Sequence, residues 1–373
     1  MTQLITRAQE VTPDHLEGLL QKAHLLPQGS ITGITVQGRD DIQNRHTGEV
    51  AQLRLTFRDR PPGAPQRLYF KIAQGGREVD FYNRLMPHLP DLPIPHCFEA
   101  LYDPASQSAH LFLEDVSTTH APNRFPPGEP PAQLGLDQLR QMAASFARLH
   151  AACWGHFEDG LWRPVTRPHL LPEHLDWLPF FPPVPQAIEH YFSKPKQDLT
   201  DFFDFLGPAL SPARRTIWSA VFAAFPRLAL DRLLGGRHLT LNHRDPKQGN
   251  ILYQKLENSR DGTGDDEKVF LLDWQQARLW TGPEDLAAYL ACYWPPEKRR
   301  QIEESVLLHY HYILLDCGVS QYDWAALWHD YRLGIAEQCY RWVRVRRTRT
   351  HITERICANI IGAFEDLHCD ELL

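Results

Sequence analysis

The chain has 373 residues, of which 43% are hydrophobic and 23% charged, so it is long enough for two lobes and can bury a large core without disulfide support. The formal net charge of −7 argues against a protein that binds nucleic acid or anionic membranes over its general surface. The seven cysteines form no CxxC pair, which favours reduced thiols. Residues 1–18 lack the apolar segment of a signal peptide, and no run of about 18 apolar residues predicts a membrane-spanning helix. We therefore expect a cytoplasmic protein.

The N-terminal part of the sequence predicts a helix followed by an antiparallel sheet. Thr12 and Pro13 favour a helix start, and leucines continue an apolar face from there. Residues 50–57 alternate between apolar and polar, which is the period of a half-buried strand. The elements predicted here are helices at 12–26 and about 76–86, strands at 31–36, 50–57, 67–72 and 110–114, and a polar loop near 44–48.

A proline-rich segment at 122–131 separates this part from a remainder whose pattern is mainly helical. The predicted fold class is therefore α+β, with a small antiparallel-sheet N-lobe at 1–116 and a larger, mainly helical C-lobe at 117–373. A helical insertion is expected at about 125–240, and the polar stretch at 261–267 is interpreted as a hairpin tip.

The strongest chemical signal is the segment from His243 to Asn250, which has the form HRDxxxxN and precedes an apolar strand. Phosphoryl transfer needs an aligned acceptor hydroxyl and neutralised phosphate charge, more than covalent help from the protein. Asp245 can accept the proton of the acceptor, and the amide oxygen of Asn250 can ligate a metal. Lys247 is placed to reach the γ-phosphate of ATP.

Two further signals supply the remaining charges that such a reaction needs. Asp273 ends an apolar strand, where its carboxylate could hold Mg²⁺ against the nucleotide phosphates. Lys71 lies on the third predicted strand, and Glu78 follows seven positions later at the start of a helix. We expect Lys71 to contact the α- and β-phosphates and Glu78 to orient it.

A fourth signal is an apolar strand that ends in acids just before the proline-rich break. Such a segment suits a hinge between lobes, whose backbone would hydrogen-bond adenine. The residues assigned to this hinge are Glu114, Asp115 and Val116.

Each motif also has a structural interpretation of its own. Asp245 can be a turn residue before Pro246, Asp273 a strand-end cap, and Lys71 with Glu78 a surface salt bridge of little energetic weight. Because all of them occur in the expected order and strand context, chance is a poor explanation, and the set predicts a protein that uses ATP and Mg²⁺.

At this point the chain resembles the aminoglycoside phosphotransferase and choline kinase superfamily, and most of all its ecdysteroid-kinase-like branch. The resemblance covers roughly residues 30–290. It implies a two-lobed protein-kinase-like fold that transfers the γ-phosphate of ATP to a small alcohol. Beyond the motifs above, the resemblance rests on 77–82, 112–116, 147–154 and 272–275, and on Gly282 and 285–287.

The same resemblance implies Asp245 as base, Asn250 and Asp273 as metal ligands, and Lys71 on the phosphates. Three features depart from the family pattern. Arg244 stands where the family usually has glycine, and Lys247 is more typical of protein kinases. The loop near 44–48, expected to cover the nucleotide, does not fit GxGxxG.

Two spacings favour a small acceptor over a protein substrate. Only 12 positions separate Asp273 from Asp285 (285 − 273), which leaves little room for a peptide-binding activation segment. Conversely, 127 positions separate Val116 from His243 (243 − 116), enough for helices over an acceptor site. A protein kinase, favoured by Arg244 and Lys247, and a nucleotide-binding pseudokinase remain the alternatives.

The predicted insertion is rich in aromatic residues, and three acids follow within it. The first interpretation is that most of these aromatic residues pack the added helices together. The alternative is that some of them line an apolar pocket for the acceptor. The basic run Arg341, Arg344, Arg346, Arg347 and Arg349 is interpreted first as a solvated helix face or a subunit contact, with an anion or nucleic-acid site as the lesser alternative. The aromatics are Trp154, Trp162, Trp177, Phe180, Phe181, Tyr191, Phe192, Phe202, Phe203 and Phe205, and the acids, expected on a solvated face, are Asp198, Asp201 and Asp204.

Overall fold

The computed structural model describes residues 4–27, 30–38, 50–89, 91–123, 134–193, 196–255, 269–345 and 351–373. These residues form two compact units. The first unit contains the described residues of Met1–Ala121, Gln254–Gly262 and Phe270–Gln275, and the second contains those of Pro122–Tyr253, Thr263–Val269 and Gln276–Leu373. The loop expected near 44–48 and the hairpin tip expected at 261–267 lie outside the described residues.

The first unit is built on a five-stranded antiparallel sheet. Its strands are β1 (Ile31–Gly38), β2 (Val50–Phe57), β3 (Arg67–Gln74), β4 (Cys97–Asp103) and β5 (Ser108–Glu114), in the order β1-β2-β3-β5-β4. Ala51, Leu53 and Leu55 of β2 are buried in alternation with more exposed neighbours, as the sequence period predicts. The sequence did not predict β4, because Ala100 is its one fully buried residue and no alternation marks it.

Helical segments accompany this sheet at the two predicted places, with altered bounds. Helix α1 (Pro13–Lys22) starts where the side chain of Thr12 accepts the amide of His15, and it ends short of the predicted residue 26. Helix α2 (Arg77–Asp80) continues as a π-helical turn, Phe81–Leu85. Two short strands complete the elements around this unit, namely β6 (His120–Pro122) and β11 (Phe270–Leu271).

The second unit is mainly helical. Its helices are α3 (Leu136–Ala152), α4 (Pro185–Phe192), α5 (Lys196–Leu206), α6 (Pro212–Leu234), α7 (Pro283–Tyr293), α8 (Pro296–Asp316), α9 (Trp324–Val345) and α10 (His351–Asp366). Its strands are β7 (Gly155–Glu158), β8 (Leu161–Pro164), β9 (Thr240–Asn242), β10 (Ile251–Gln254) and β12 (Arg278–Trp280). Helix α7 is buried along nearly its whole length and packs against α9 and α10, while α3 packs against α8. Two small antiparallel sheets pair β7 with β8 and β9 with β12.

The predicted α+β class is confirmed, since an antiparallel sheet dominates the first unit and helices dominate the second. The first unit extends slightly past the expected boundary at residue 116, and it also includes the segment Phe270–Gln275, which the sequence had assigned to the C-lobe. Within the described residues, no helix has the length and apolar character needed to cross a membrane.

The predicted insertion at about 125–240 contains helices α4, α5 and α6 after α3. Most of the aromatic residues singled out there are buried, which confirms packing as their main role. The buried ones are Trp154, Trp162, Phe180, Phe181, Phe192 and Phe202.

Candidate functional site

Lys71 is the centre of a buried charge cluster in the first unit. It lies on β3, and its Nζ contacts Glu78 Oε2 of α2 at 2.7 Å and Asp273 Oδ1, two residues after β11, at 2.9 Å. The side chains are 12%, 2% and 16% exposed for Lys71, Glu78 and Asp273. The structure therefore brings together three residues that lie up to 202 positions apart.

The cluster holds one ammonium group and two carboxylates. Burial alone would lower the pKa of Lys71, but the charges of Glu78 and Asp273 outweigh it and raise this pKa above its ordinary value. Burial raises the pKa of Glu78, and the nearby charge of Asp273 raises it further against the opposing effect of Lys71. The lysine thus stays charged, and the cluster holds two carboxylates for one ammonium group.

Asp273 is held in place by the backbone and side chains that follow it. Its φ of 71° is left-handed, a conformation that costs a non-glycine residue about 1 kcal/mol. Trp274 stacks on Phe81 with ring centroids 4.1 Å apart and planes at 9°. Arg77 donates to the carbonyl of Gln275 at 3.0 Å. Contacts of the two residues after Asp273 therefore hold its carboxylate beside Lys71.

The predicted hinge residues begin at Glu114, the last residue of β5, and Glu114 and Asp115 form hydrogen bonds there. Asp115 Oδ1 accepts the amide of Ser117 at 2.9 Å, which caps a short 3-10 turn, and its Oδ2 accepts from Gln52. The amide of Glu114 donates to the carbonyl of His96 at 2.8 Å, and Val116 is buried. The side chain of Asp115 therefore stabilises the backbone of this segment. Hydrogen bonding between that backbone and adenine stays a prediction.

Asp245 is the centre of a second cluster, in the loop between β9 and β10 of the second unit. Its Oδ2 accepts from Lys247 Nζ at 2.7 Å and from Asn250 Nδ2 at 3.2 Å. The Asn250 amide also donates to the Asp245 carbonyl at 2.9 Å. Burial raises the pKa of Asp245, but the charges of Lys247 and Arg341 outweigh it and hold this pKa below its usual value. The carboxylate is therefore ionised at neutral pH.

Asp285 braces this loop from the start of α7. Its Oδ2 accepts the backbone amide of His243 and its Oδ1 that of Arg244, each at 2.7 Å. His150 on α3 lies 3.2 Å from Asp285 Oδ2 and 2.8 Å from the hydroxyl of Tyr310, and all three side chains are fully buried. One carboxylate therefore satisfies two consecutive amides and fixes the path of the chain into Asp245.

His243 completes the brace from within the loop. Its Nδ1 accepts the backbone amide of Asp245 at 3.2 Å, and its side chain is buried. A ring nitrogen engaged in this way orients the backbone, in agreement with a bracing role for His243.

Arg341 corrects one sequence prediction. The first interpretation of the basic run was a solvated face or a subunit contact, but Arg341 Nη2 lies 3.5 Å from Asp245 Oδ1, and its Nη1 donates to the carbonyl of Arg244 at 2.7 Å. The arginines of the run beyond residue 345 lie outside the described residues. Arg344 lies with its Cζ 5.1 Å from the ring centroid of Tyr191. The spacing of residues along the helix could not reveal these contacts, because the partners lie far away in the sequence. Arg341 and Arg244, for example, are 97 positions apart.

Asn250 of the second unit and Asp273 of the first each carry an oxygen donor that suits a magnesium ion. The amide nitrogen of Asn250 is used twice within its loop, so its carbonyl oxygen takes no part in those two contacts. The carboxylate of Asp273 belongs to a cluster that holds two carboxylates and one ammonium group. Carboxylate and amide oxygens suit Mg²⁺, which commonly takes its other ligands from water and substrate phosphates. Within the described part of the chain, no three His, Cys, Asp or Glu side chains form a metal cage by themselves, and Mg²⁺ does not need one.

Comparisons with known proteins give one family model and a set of solved structures. A family model described as "Uncharacterized oxidoreductase dhs-27", an ecdysteroid-kinase-like family, matches residues 222–336. A structure from Ralstonia eutropha, classed as an aminoglycoside phosphotransferase, is 14% identical with a TM-score of 0.48, over 96% of this chain and 98% of that one. No curated protein sequence matches.

Two further solved structures are similar at comparable levels. An ethanolamine kinase from Plasmodium vivax is 9% identical with a TM-score of 0.46, over 95% of this chain and 90% of that one. The choline kinase LicA from Streptococcus pneumoniae is 14% identical with a TM-score of 0.39, over 94% and 99%. The chain is thus similar to aminoglycoside phosphotransferases and to choline and ethanolamine kinases, the resemblance that its motifs predict.

Proposed function

We propose that this protein is an ATP-dependent kinase of small molecules, which transfers the γ-phosphate of ATP to a hydroxyl group. The observation that carries the proposal is the loop from His243 to Asn250. It presents an ionised, partly exposed carboxylate at Asp245 that is fixed by Lys247, Asn250 and the brace from Asp285. A fixed carboxylate of this kind suits the alignment of an acceptor hydroxyl and the acceptance of its proton.

The other charged residues take roles that agree with their surroundings. Lys71, kept charged by Glu78, would bind the nucleotide phosphates. Asn250 and Asp273 would each ligate Mg²⁺, which when bound neutralises charge on the phosphates. Lys247 contacts Asp245 and has the length to turn toward a transferring phosphate. Glu114 to Val116 would hold adenine through the backbone.

The segment after Asp273 supports a small acceptor. It contains only a 3-10 turn, Trp274–Gln276, and β12 before α7 begins at Pro283. Asp285, near the start of α7, is already engaged with the catalytic loop. So short a connection has no length for a peptide-binding platform, which disfavours a protein kinase. The presence of every charged catalytic position disfavours a pseudokinase.

A cytoplasmic location is part of the same proposal. All seven cysteines are free thiols, and five of them are buried. Free thiols at this number are typical of a reducing compartment.

The experiment is a measurement of ADP release by the full chain with Mg²⁺ and ATP against a panel of acceptors. The panel contains sterols, macrolides, aminoglycosides, amino alcohols and hydroxy acids, with casein as a generic protein substrate. Phosphorylation of a small alcohol, identified by mass spectrometry, is the expected result. Transfer to casein alone would establish a protein kinase, and nucleotide binding without turnover of any acceptor would establish a pseudokinase.

A further inference from the structure

Arg244 occupies a backbone position that favours glycine. Its φ is 68°, within the left-handed region that costs a residue with a side chain about 1 kcal/mol. Both of its backbone polar groups are engaged, the amide with Asp285 and the carbonyl with Arg341. The backbone contacts would be the same with glycine here, so they do not explain why an arginine side chain is present.

The guanidinium of Arg244 is incompletely paired. Its Nε is buried without a hydrogen-bond partner, and in the described ranges no carboxylate forms an ion pair with this side chain. Burial and the charges of Arg278 and Arg341 lower the pKa of Arg244 to about 10, against the opposing effects of Tyr191 and Glu337. A partly buried cation with these neighbours favours the arrival of an anion.

The acids in its surroundings are already engaged. Asp245 contacts both Lys247 and Arg341, and Glu337 lies 2.5 Å from Arg278. Glu284 is 3.9 Å from Arg278 and also accepts from Gln338. Asp285 accepts only the backbone amide of Arg244, so none of these acids pairs with the Arg244 side chain.

A second arginine lies over the same aromatic ring. The Cζ of Arg244 is 5.5 Å from the ring centroid of Tyr191, and that of Arg344 is 5.1 Å from it. Arg344 follows Arg341 by three positions on α9, and residues at this spacing share a helix face. Tyr191 thus holds two guanidinium groups next to the loop that carries Asp245.

We propose that Arg244 and Arg344 bind an anionic group of the acceptor, so that the preferred substrate is an alcohol bearing a carboxylate, a sulfate or a phosphate ester. This inference rests on the proposed kinase function and specifies its substrate class. Guanidinium groups bind such anions through paired, charge-assisted hydrogen bonds. The same positive charge disfavours cationic acceptors such as amino alcohols and aminoglycosides.

The test compares matched acceptors on the full chain with Mg²⁺ and ATP. Each hydroxy acid is assayed beside its neutral amide, with sulfated and phosphorylated diols and with amino alcohols. The variants are Arg244→Gly, which the left-handed backbone accommodates, and Arg344→Ala. The control is Arg227→Ala, because the Arg227 side chain is 76% exposed and pairs with Asp231 on the surface.

The expected result is a preference of the wild-type chain for anionic acceptors. Each arginine variant should reduce the ratio of kcat/KM for the acid over its amide by roughly 10–100-fold, as the loss of a charge-assisted hydrogen bond predicts. Arg227→Ala should keep the wild-type ratio. Comparison of kcat/KM among the acceptors that carry a carboxylate, a sulfate or a phosphate identifies the preferred anionic group. A wild-type preference for amino alcohols, or an unchanged ratio in Arg244→Gly, would overturn the inference.

A second measurement does not depend on turnover. Inorganic sulfate is titrated calorimetrically into the wild-type chain and into the two arginine variants. Weaker sulfate binding in both variants supports the anion site even if no alcohol is phosphorylated, in which case the kinase proposal alone fails. Identical titrations in all three proteins reject the anion site, whatever the outcome of the kinase assay.

Discussion

The two charge clusters of this protein have opposite balances. In the first unit, the single ammonium of Lys71 faces the carboxylates of Glu78 and Asp273. In the second, the single carboxylate of Asp245 faces Lys247 and Arg341. A cluster with more carboxylates than ammonium groups suits the binding of a metal ion with its phosphates. A cluster with more cations than carboxylates keeps its carboxylate ionised and favours the binding of an anion. The difference predicts that substitutions in the two clusters separate nucleotide binding from acceptor chemistry.

The largest expected effect comes from Asp245→Asn. The amide keeps the shape of the side chain but cannot accept a proton, so kcat should fall on the order of 10²–10⁴-fold for any alcohol that the wild-type chain phosphorylates. Nucleotide affinity, measured with a fluorescent ATP analogue, should stay within about twofold. Asp316→Asn, an exposed position on α8, is the matched control. Retained turnover in Asp245→Asn would remove this residue from the role of base.

The Lys71→Met variant tests the acidic cluster. It leaves two carboxylates buried without their ammonium, which should lower the free energy of unfolding by about 3–5 kcal/mol and abolish nucleotide-dependent transfer. The double variant Lys71→Met with Glu78→Gln should recover part of the stability, measured by urea denaturation, but none of the transfer.

Lys298→Met, on an exposed part of α8, serves as the control for the Lys71 variants. Recovery of transfer in the double variant would mean that Lys71 has only a structural role. Normal ATP affinity in Lys71→Met would contradict its proposed contact with the phosphates.

A smaller effect is expected from Asp285→Asn. The asparagine oxygen can accept one of the two amides of His243 and Arg244, and the other amide then faces an NH₂ group. One unsatisfied buried donor costs about 1–3 kcal/mol of unfolding free energy. Turnover should fall because the loop shifts, while nucleotide affinity is kept. An unchanged pH–rate profile with reduced kcat distinguishes this positioning role from proton transfer, and a profile that shifts would contradict it.

The smallest effect concerns Glu99, in neither cluster. Burial raises its pKa, but hydrogen bonds from His110 and His15 outweigh this and lower it to about 2 from an ordinary 4.5. Because the folded-state pKa is the lower one, Glu99 stabilises the fold above about pH 4.5, and this contribution is lost as the pH falls toward 2.

Thermal denaturation between pH 6 and pH 3 measures this contribution of Glu99. Glu99→Gln should lower the melting temperature at pH 6 and reduce its dependence on pH below 4.5, whereas Glu304→Gln, an exposed control, should follow the wild-type curve. Parallel curves for Glu99→Gln and the wild type would exclude this group as a source of acid sensitivity.

The sequence predicted the parts of the site that local pattern encodes. Lys71 and Glu78 lie on a strand and the helix after it, and the loop around Asp245 has its own spacing. Strand β4 escaped prediction because its single buried residue leaves no alternation. The contact of Arg341 with Asp245 was not predicted, because it depends on the packing of α9. A basic run in the sequence looks the same whether it lies on a solvated face or beside a carboxylate. Charge patterns name candidate groups, but tertiary packing selects their partners.

The contact of Arg341 with the loop has a consequence for how the protein is made. Arg341 and the carbonyl that it contacts, that of Arg244, are separated by 97 positions. At ordinary synthesis rates of about 5–20 residues per second, this contact can form no sooner than roughly 5–20 seconds after the loop has been synthesised. Asp245 therefore spends its first seconds without one of its two cations, and the charge environment of the loop is completed only after Arg341 has been synthesised.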